Sequence, residues 1–153
     1  MRVPTLMRWP GKIPPGQTTD QVAATIDLLP TFARLAGTQA PDDRVIDGRD
    51  IWPLMSEPAA QSPHEAFYYF GGSRGANGPP SLRAIRAGNW KLHFSRRRQP
   101  IRGFELYNLK TDVGESHNLI DQRPQIAARL EAQAKAFLNE FNKKRRPIGR
   151  VVE

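Results

Sequence analysis

Residues 82–94, LRAIRAGNWKLHF, decide the fold of this chain. Gly88-Asn89 separates two short runs of apolar and branched side chains, and such a pair is typical of a two-residue hairpin turn. After the turn, apolar residues alternate with Lys91 and His93, which places one set of side chains on an inner face and the other on an outer face. The stretch therefore predicts two antiparallel strands, 82–87 and 89–94.

Similar short runs on either side extend this hairpin into a sheet. Runs at 67–70 and 104–109 are aromatic or branched and are bounded by Gly, Pro or Asn, so four strands are expected. From Pro124 onward, apolar side chains recur at helical spacing, which predicts a helix of about 20 residues across the sheet. These side chains are Ile126, Leu130, Phe137 and Phe141, widened by Ala127, Ala134 and Leu138. The second part of the chain is thus predicted to be a small α+β layer pair.

The first part of the chain follows a different pattern. Residues 3–9 indicate a strand that Pro10-Gly11 ends, and 22–26 indicate a second extended piece. Asp27 is expected to cap a helix that ends at Gly37. The apolar face of that helix should be buried; it comprises Leu28, Leu29, Phe32, Leu35 and Ala36. Residues 40–61 read as a long ordered loop, so the boundary is placed near residue 60, between units 1–60 and 61–153.

Composition and charge narrow the classes of function. Among 153 residues, 23 Lys and Arg face 15 Asp and Glu, a net charge of +8, and there is no Cys. The excess lies in residues 71–110, which hold nine basic residues and one acidic residue. No apolar run approaches the ~18 residues that a membrane span needs, so no span is expected. Nothing in the chain indicates a compartment, and the localisation stays open.

Few residues suggest chemistry of their own. His64, His93 and His117 lack metal-ligand spacing, and no Gly-x-Ser-x-Gly or phosphate-binding loop occurs, so a structural role is favoured for each His. An acidic loop could attract a divalent cation but is more typical of turn chemistry; its carboxylates are Asp42, Asp43, Asp47 and Asp50. We predict no catalytic and no metal-binding residue. The stronger feature is the basic set in the middle, for which a solvated face is the default: Arg74, Arg83, Arg86, Lys91, Arg96, Arg97, Arg98 and Arg102.

The order of short segments along the chain resembles the C-terminal region of the arylsulfatase-type sulfatase family, in the alkaline phosphatase superfamily. The segments are RVP at 2–4, RWPGKI at 8–13, IDLLPT at 26–31, LAG at 35–37, DGRD at 47–50, PL at 53–54, FYY at 67–69, LRAIR at 82–86, GNWKLH at 88–93 and ELYNL at 105–109, followed by Asp112, Gly114, Glu115, Asn118 and Leu119. Together they extend over about residues 2 to 140. The resemblance implies that 1–60 is the end of the sulfatase α/β main domain and that 61–153 is the C-terminal subdomain.

The same resemblance implies what the chain lacks. Sulfatases form their formylglycine within an early Cys/Ser-x-Pro-x-Arg motif, whereas Ser56-Glu57-Pro58 is followed here by two alanines. Calcium ligands also belong upstream of the segment that matches 2–4. We therefore expect a C-terminal fragment of a sulfuric ester hydrolase in which Met1 stands at an internal position of the full enzyme. Calcium and formylglycine are implied for that enzyme and no cofactor for this chain.

The expected partners follow from this interpretation. The missing N-terminal catalytic portion would be the first, and an anionic sulfate ester would be the substrate. Loops at 71–80 and 95–103 would lie at the rim of its pocket, with Arg74, Arg96, Arg97 and Arg98 facing the substrate. The isolated chain should be inactive, no nucleic acid is expected, and full-length relatives are often periplasmic, secreted or lysosomal.

Two other functions stay open at this point. The basic region 71–110 could make the chain a free-standing binding module for an anionic polymer, with steeply salt-dependent binding. Against this, Trp90 and Phe94 alternate onto the apolar face instead of the charged one, so they offer no stacking platform. A non-catalytic scaffold that retains the fold is the other alternative.

Overall fold

A computed structural model describes residues 3–71, 81–95 and 101–144. The chain divides into two compact units, Met1–Glu65 and Ala66–Glu153. The first unit contains a 3-10 helix at Thr25–Asp27, helix α1 at Leu28–Leu35 and helix α2 at Trp52–Ser56. The second contains strands β1 (Phe67–Gly71), β2 (Ser81–Ala87), β3 (Trp90–Phe94) and β4 (Gly103–Asn108), then helix α3 (Pro124–Lys144).

The sheet of the second unit confirms the predicted four-stranded antiparallel arrangement. Its strands lie in the order β1-β2-β3-β4, and each is antiparallel to its neighbour. The central hairpin pairs Ala87 with Trp90 across the turn. Gly88 has a φ of +55° in that turn, a left-handed conformation that glycine adopts without a steric penalty. The hairpin signal in the sequence thus places β2 and β3 in register.

Helix α3 has 21 residues and packs on one face of this sheet. Ile85, Leu92, Leu106 and Leu130 are fully buried between the layers. Toward the β1 side, Tyr68 stacks on Phe137 with ring centroids 3.6 Å apart. Both observations agree with the sequence periods of two for the strands and about 3.6 for the helix. The second unit therefore has an apolar core of its own.

The loop after β4 covers the outer edge of that strand. Leu106 donates its N–H to Asn118 Oδ1 at 3.0 Å, and Leu119 donates its N–H to the Leu106 carbonyl at 2.8 Å. Asn118 Nδ2 also donates to the Phe104 carbonyl at 3.3 Å. Since an unpaired strand edge is a template for association with other chains, these bonds protect β4.

The first unit departs from prediction in its extended segments. Across its described residues, 3–65, no strand is present, so the strand predicted at 3–9 is wrong. The extended piece predicted at 22–26 is shorter than expected: Ala24 is extended, and the 3-10 helix begins at Thr25. A strand needs a partner that satisfies its backbone N–H and C=O groups, and this unit supplies none. Instead, Lys12 and Ile13 donate to the Trp9 carbonyl in a turn, and the Trp9 ring packs edge-on against Trp52, 5.6 Å away.

Helix α1 is present, but its predicted burial is wrong. Leu29 and Phe32 are 55% and 56% exposed, and Leu35 is also exposed, whereas Asp27 and Thr31 are fully buried. The pattern identified the apolar side of the helix, but a side is buried only where another layer covers it. The Asp27 side chain does not cap α1 either. The predicted loop 40–61 also contains helix α2.

None of the helices within 3–71, 81–95 and 101–144 is both long enough and apolar enough to cross a membrane.

Candidate functional site

The residues predicted to line a substrate pocket are not among those the structure describes. Arg74, Arg96, Arg97 and Arg98 fall in the gaps 72–80 and 96–100. Their placement at a pocket rim stays a prediction. The polar groups that the structure does bring together form two clusters, one in each unit.

The cluster of the first unit centres on the carboxylate of Asp27, which is fully buried. Oδ2 accepts the Ala24 N–H at 2.7 Å. Oδ1 accepts the Arg49 N–H and lies near His64 Nε2, each at 2.8 Å. Three segments that are distant in sequence thus meet at one side chain. A buried carboxylate without such donors would be strongly destabilising, so the arrangement is a structural anchor.

Thr31 and Gly48 complete this anchor. The Thr31 hydroxyl donates to the Asp27 carbonyl at 2.6 Å and accepts the Ile51 N–H at 3.0 Å. A Cβ at Gly48 would overlap the Ile26 carbonyl oxygen. Glycine is therefore required where the two backbones approach, and the IDLLPT and DGRD segments are held side by side.

The acidic loop is engaged in ion pairs and turns. Asp43 pairs with Arg44, and the carboxylate of Asp50 pairs with Arg34 and accepts the Trp52 N–H at 2.9 Å. The Arg44 guanidinium lowers the pKa of Asp43. Across the described residues, no three acidic, His or Cys side chains come together in a way that could hold a metal ion. With no Cys and no Ser-x-Pro-x-Arg segment, this chain also offers no residue that fits formylglycine formation.

The cluster of the second unit is formed by Lys91, His93 and Glu115 on the face of the sheet opposite α3. Glu115 Oε1 lies 2.5 Å from Lys91 Nζ, and Oε2 lies 2.6 Å from His93 Nε2. The Lys91 ammonium also lies 5.2 Å from the centre of the Tyr69 ring. The Lys91 side chain is only 8% exposed. The expectation of a solvated basic face is therefore wrong for Lys91, because the loop after β4 covers it.

Glu115 is positioned by the loop that carries it. The Asp112 carboxylate accepts the N–H groups of Ser116 at 2.9 Å and His117 at 2.8 Å, and these bonds lower the pKa of Asp112. Glu115 itself has a φ of +56°, a left-handed conformation that a residue with a Cβ adopts only when its surroundings enforce it. The strained backbone at Glu115 thus directs its carboxylate toward Lys91 and His93 on β3.

The ionisation of this cluster reflects both burial and charge. Burial acts to raise the pKa of Glu115, but the hydrogen bonds from Lys91 and His93 outweigh it and the pKa lies below its ordinary value. Burial raises the pKa of the Tyr107 hydroxyl, and the carboxylates of Glu105 and Glu115 raise it further. Glu115 is therefore ionised near neutral pH, and Tyr107 is neutral.

The structure assigns the histidines as follows. His64 contacts Asp27, and His93 contacts Glu115, whereas His117 is largely exposed and lies 3.7 Å from Asp112. Sequence reasoning missed the partners Asp27 and Glu115, although both belong to segments that carry the family resemblance. The alternation of Lys91 and His93 along β3 was the one signal that a single acidic side chain could reach both.

Comparisons with known proteins agree with this architecture. Residues 1–144 match the family model described as N-sulphoglucosamine sulphohydrolase, C-terminal. The chain belongs to this family and is a sulfatase C-terminal domain, as its segments indicated. It is homologous to arylsulfatases: bovine arylsulfatase A is 33% identical over 148 residues, which cover 83% of this chain and 28% of that protein.

Two further matches are also sulfatases. Rat steryl-sulfatase is 49% identical over 70 residues, 46% of this chain and 12% of that protein. The PsFucS1 sulfatase from Pseudoalteromonas sp. shares the fold, with a TM-score of 0.69 at 20% identity over 89% of this chain and 29% of that one. The chain thus spans roughly a tenth to under a third of the length of these relatives.

Proposed function

We propose that this chain acts as the C-terminal part of an arylsulfatase-like sulfuric ester hydrolase and has no sulfatase activity by itself. In this proposal the N-terminal catalytic portion of the same enzyme supplies the formylglycine and the calcium site that full-length sulfatases use. The chain contributes a packing surface and part of the pocket rim. Its substrate would be an anionic sulfate ester, the class on which the family acts.

The apolar stripe of α1, formed by Leu29, Phe32 and Leu35, is the observation that carries the proposal. These side chains lie in water in this chain, next to an anchor that holds the helix in place. Exposed apolar stripes of this kind mark surfaces that pack against another element. Because the chain spans 28% of bovine arylsulfatase A, we assign the stripe to the catalytic part of the same enzyme.

The anchor explains how the stripe is presented. Asp27, at the end of the 3-10 helix, and Thr31 in α1 lie on a different side of this helical segment from Leu29 and Phe32, and they bond the backbone N–H groups of residues 49 and 51. Polar bonds thus fix the helix without using its apolar side. That side is left available for a partner layer.

The packing role is testable by complementation. The catalytic part of bovine arylsulfatase A, ending where its match to this chain begins, would be produced with this chain, and aryl sulfate hydrolysis measured with calcium present. We expect activity from the pair and none above background from the chain alone. The bovine C-terminal segment serves as the positive control.

Matched variants separate packing from folding. Leu29→Asp with Phe32→Asp should leave the chain folded and abolish complementation, because two charges would then face an apolar partner. Val113→Asp changes a residue that is 56% exposed in the second unit and should complement normally. Equal activity with both variants, or hydrolysis by the chain alone, would contradict the proposal.

The pocket rim is a separate part of the proposal. Arg74, Arg96, Arg97 and Arg98 are proposed to face the anionic substrate, because guanidinium groups match sulfate oxygens in pairs. In the complemented enzyme, replacing Arg96, Arg97 and Arg98 by Gln should raise KM for a sulfated sugar more than it lowers kcat. An unchanged KM would count against the rim assignment and leave the packing role intact.

A further inference from the structure

The Lys91–Glu115–His93 cluster carries an inference that goes beyond the proposed function. Its members come from two elements: Lys91 and His93 lie on β3, and Glu115 lies in the covering segment, residues 112–119, that follows β4. In β3, residues two apart project from the same face, so one carboxylate reaches both. Each carboxylate oxygen of Glu115 holds a different residue of the strand.

We propose that Glu115 makes the covering segment an acid-sensitive flap on the sheet, closed while its carboxylate is ionised and released when the carboxylate is protonated. Release would uncover Lys91 and His93. Protonation removes the negative charge opposite the Lys91 ammonium and leaves a neutral group that can no longer accept from both β3 side chains with equal strength.

Three features make closure depend on this one side chain. The Lys91 side chain is nearly excluded from water. Among the described residues, its ammonium group contacts the Glu115 carboxylate and the face of the Tyr69 ring. Glu115 is held at a positive φ, so the loop is under strain that its ion pairs offset. Among the described residues, the other attachments of this segment to the sheet are hydrogen bonds between neutral groups: those of Asn118 and Leu119 to β4, and that of the Asp112 N–H to the Asn108 carbonyl at the end of β4.

The titratable groups around Glu115 also favour release of the covering segment at low pH. Glu105 lies opposite His93 on β4, Tyr107 lies opposite Lys91, and Asp112 lies in the covering segment itself. Tyr107 stays neutral across the acidic range because its pKa is raised. Asp112 loses its backbone-binding charge in the same direction as Glu115, since the pKa of each lies below its ordinary value. The closed state is thus present above the ordinary carboxylate range and is lost as pH falls through the lowered values.

Hydrogen exchange of the full chain, measured at about pH 7 and about pH 3.5 and corrected for intrinsic rates, tests the flap. Protection of the Leu119 amide, which donates to the Leu106 carbonyl of β4, should fall by up to about tenfold on acidification, because pH 3.5 lies about one unit below the ordinary Glu pKa and one extra proton taken up over one pH unit changes the equilibrium tenfold. Amides of β2 and β3 should lose less. A loss of the same size throughout the sheet would overturn the proposal, because acid would then be unfolding the whole unit.

Glu115→Gln imitates the protonated state at neutral pH. In this variant the Leu119 amide should show the low protection of the acidified wild type at both pH values, whereas Ser116 and His117 keep the pH response of the Asp112 carboxylate that they bond. Glu131→Gln is the matched control, since Glu131 is equally half-buried, accepts from Lys135 and the Gly103 N–H, and lies on α3; it should keep the wild-type response at 115–119. Wild-type protection in Glu115→Gln would overturn the proposal.

A second variant guards against a general folding defect. If Glu115→Gln unfolds because Lys91 is left without its carboxylate, the double variant Lys91→Met with Glu115→Gln removes the stranded charge. We expect this double variant to fold with the Leu119 amide exchanging rapidly at both pH values. Protection of Leu119 that still responds to pH as in the wild type would overturn the role of Glu115.

Discussion

The two units of this chain are built on opposite principles. The second unit encloses Ile85, Leu92, Leu106 and Leu130 between a sheet and a helix, whereas the first encloses the polar Asp27 and Thr31 with Ile51 and leaves Leu29 and Phe32 in water. The second unit is therefore stabilised mainly by apolar area removed from water, and the first by directed hydrogen bonds. A segment can thus be well ordered by polar bonds while its apolar side awaits another layer.

This difference suggests which unit would contact the rest of the enzyme. A layer pair with its own core can fold without help, but a unit whose apolar side is exposed gains stability when another layer covers it. We interpret the first unit as the part of the chain that connects to the catalytic part of the enzyme. Under the proposed function, the second unit would be the base that carries the loops 71–80 and 95–103.

The largest effect should come from the polar anchor. Asp27→Ala removes the side chain that accepts the buried Ala24 and Arg49 N–H groups and contacts His64, and it should destabilise the first unit by about 3–5 kcal/mol, because these buried groups lose their partner. Hydrogen exchange of residues 24–51 would measure this loss. Unchanged protection there would show that the anchor is not what holds the unit.

A core truncation should be nearly as costly in the second unit. Leu92→Ala removes a fully buried side chain and should lower the free energy of unfolding by about 2–5 kcal/mol. Leu29→Ala is the same change at an exposed site and should cost less than about 0.5 kcal/mol. Urea denaturation followed by circular dichroism would compare them, and similar costs would erase the contrast between the units.

A smaller effect is expected where two backbones meet. Gly48→Ala places a Cβ on the Ile26 carbonyl and should destabilise the first unit by about 1–3 kcal/mol, as for an overpacked site. Gly37→Ala offers a comparison, because it has open space around it and a strained φ of +73° as its sole penalty. Exchange of residues 26–31 should respond to the first substitution and not to the second.

Polar substitutions in the exposed stripe of α1 should have the smallest effect on stability and the largest effect on solubility. Leu29→Gln with Phe32→Gln should change the free energy of unfolding by no more than about 0.5 kcal/mol, since both side chains already lie in water. The same change should reduce self-association, measured by analytical ultracentrifugation across a concentration series. Marked destabilisation would mean that the stripe is covered within the chain.

The sequence predicted the second unit well and the first one poorly, for a physical reason. Hairpin and helix signals are local, so the Gly88 turn and the period of α3 led directly to the sheet and its cover. Burial depends on what lies opposite, which is why the exposure of Leu29 and the burial of Lys91 were both missed. Glu115 reaches Lys91 across 24 residues through a turn at positive φ, which no local pattern indicates.

The residues of the two polar clusters were not predicted as sites from the sequence. Asp27, Thr31, Gly48 and Glu115 lie in segments that carry the family resemblance, but the sequence did not single them out as site residues. Their bonds join residues 20 or more positions apart, which no local pattern indicates. The rim residues Arg74, Arg96, Arg97 and Arg98 stay a prediction, because they lie outside the described part of the chain.

The most direct test of the contrast between the units is residue-resolved hydrogen exchange of the intact chain at neutral pH. We predict strong protection in β2, β3 and the middle of α3, and weak protection in the first unit except around Asp27, Thr31 and Ile51. Protection of equal strength throughout α1 and the sheet would contradict the account, because the first unit would then be as self-sufficient as the second.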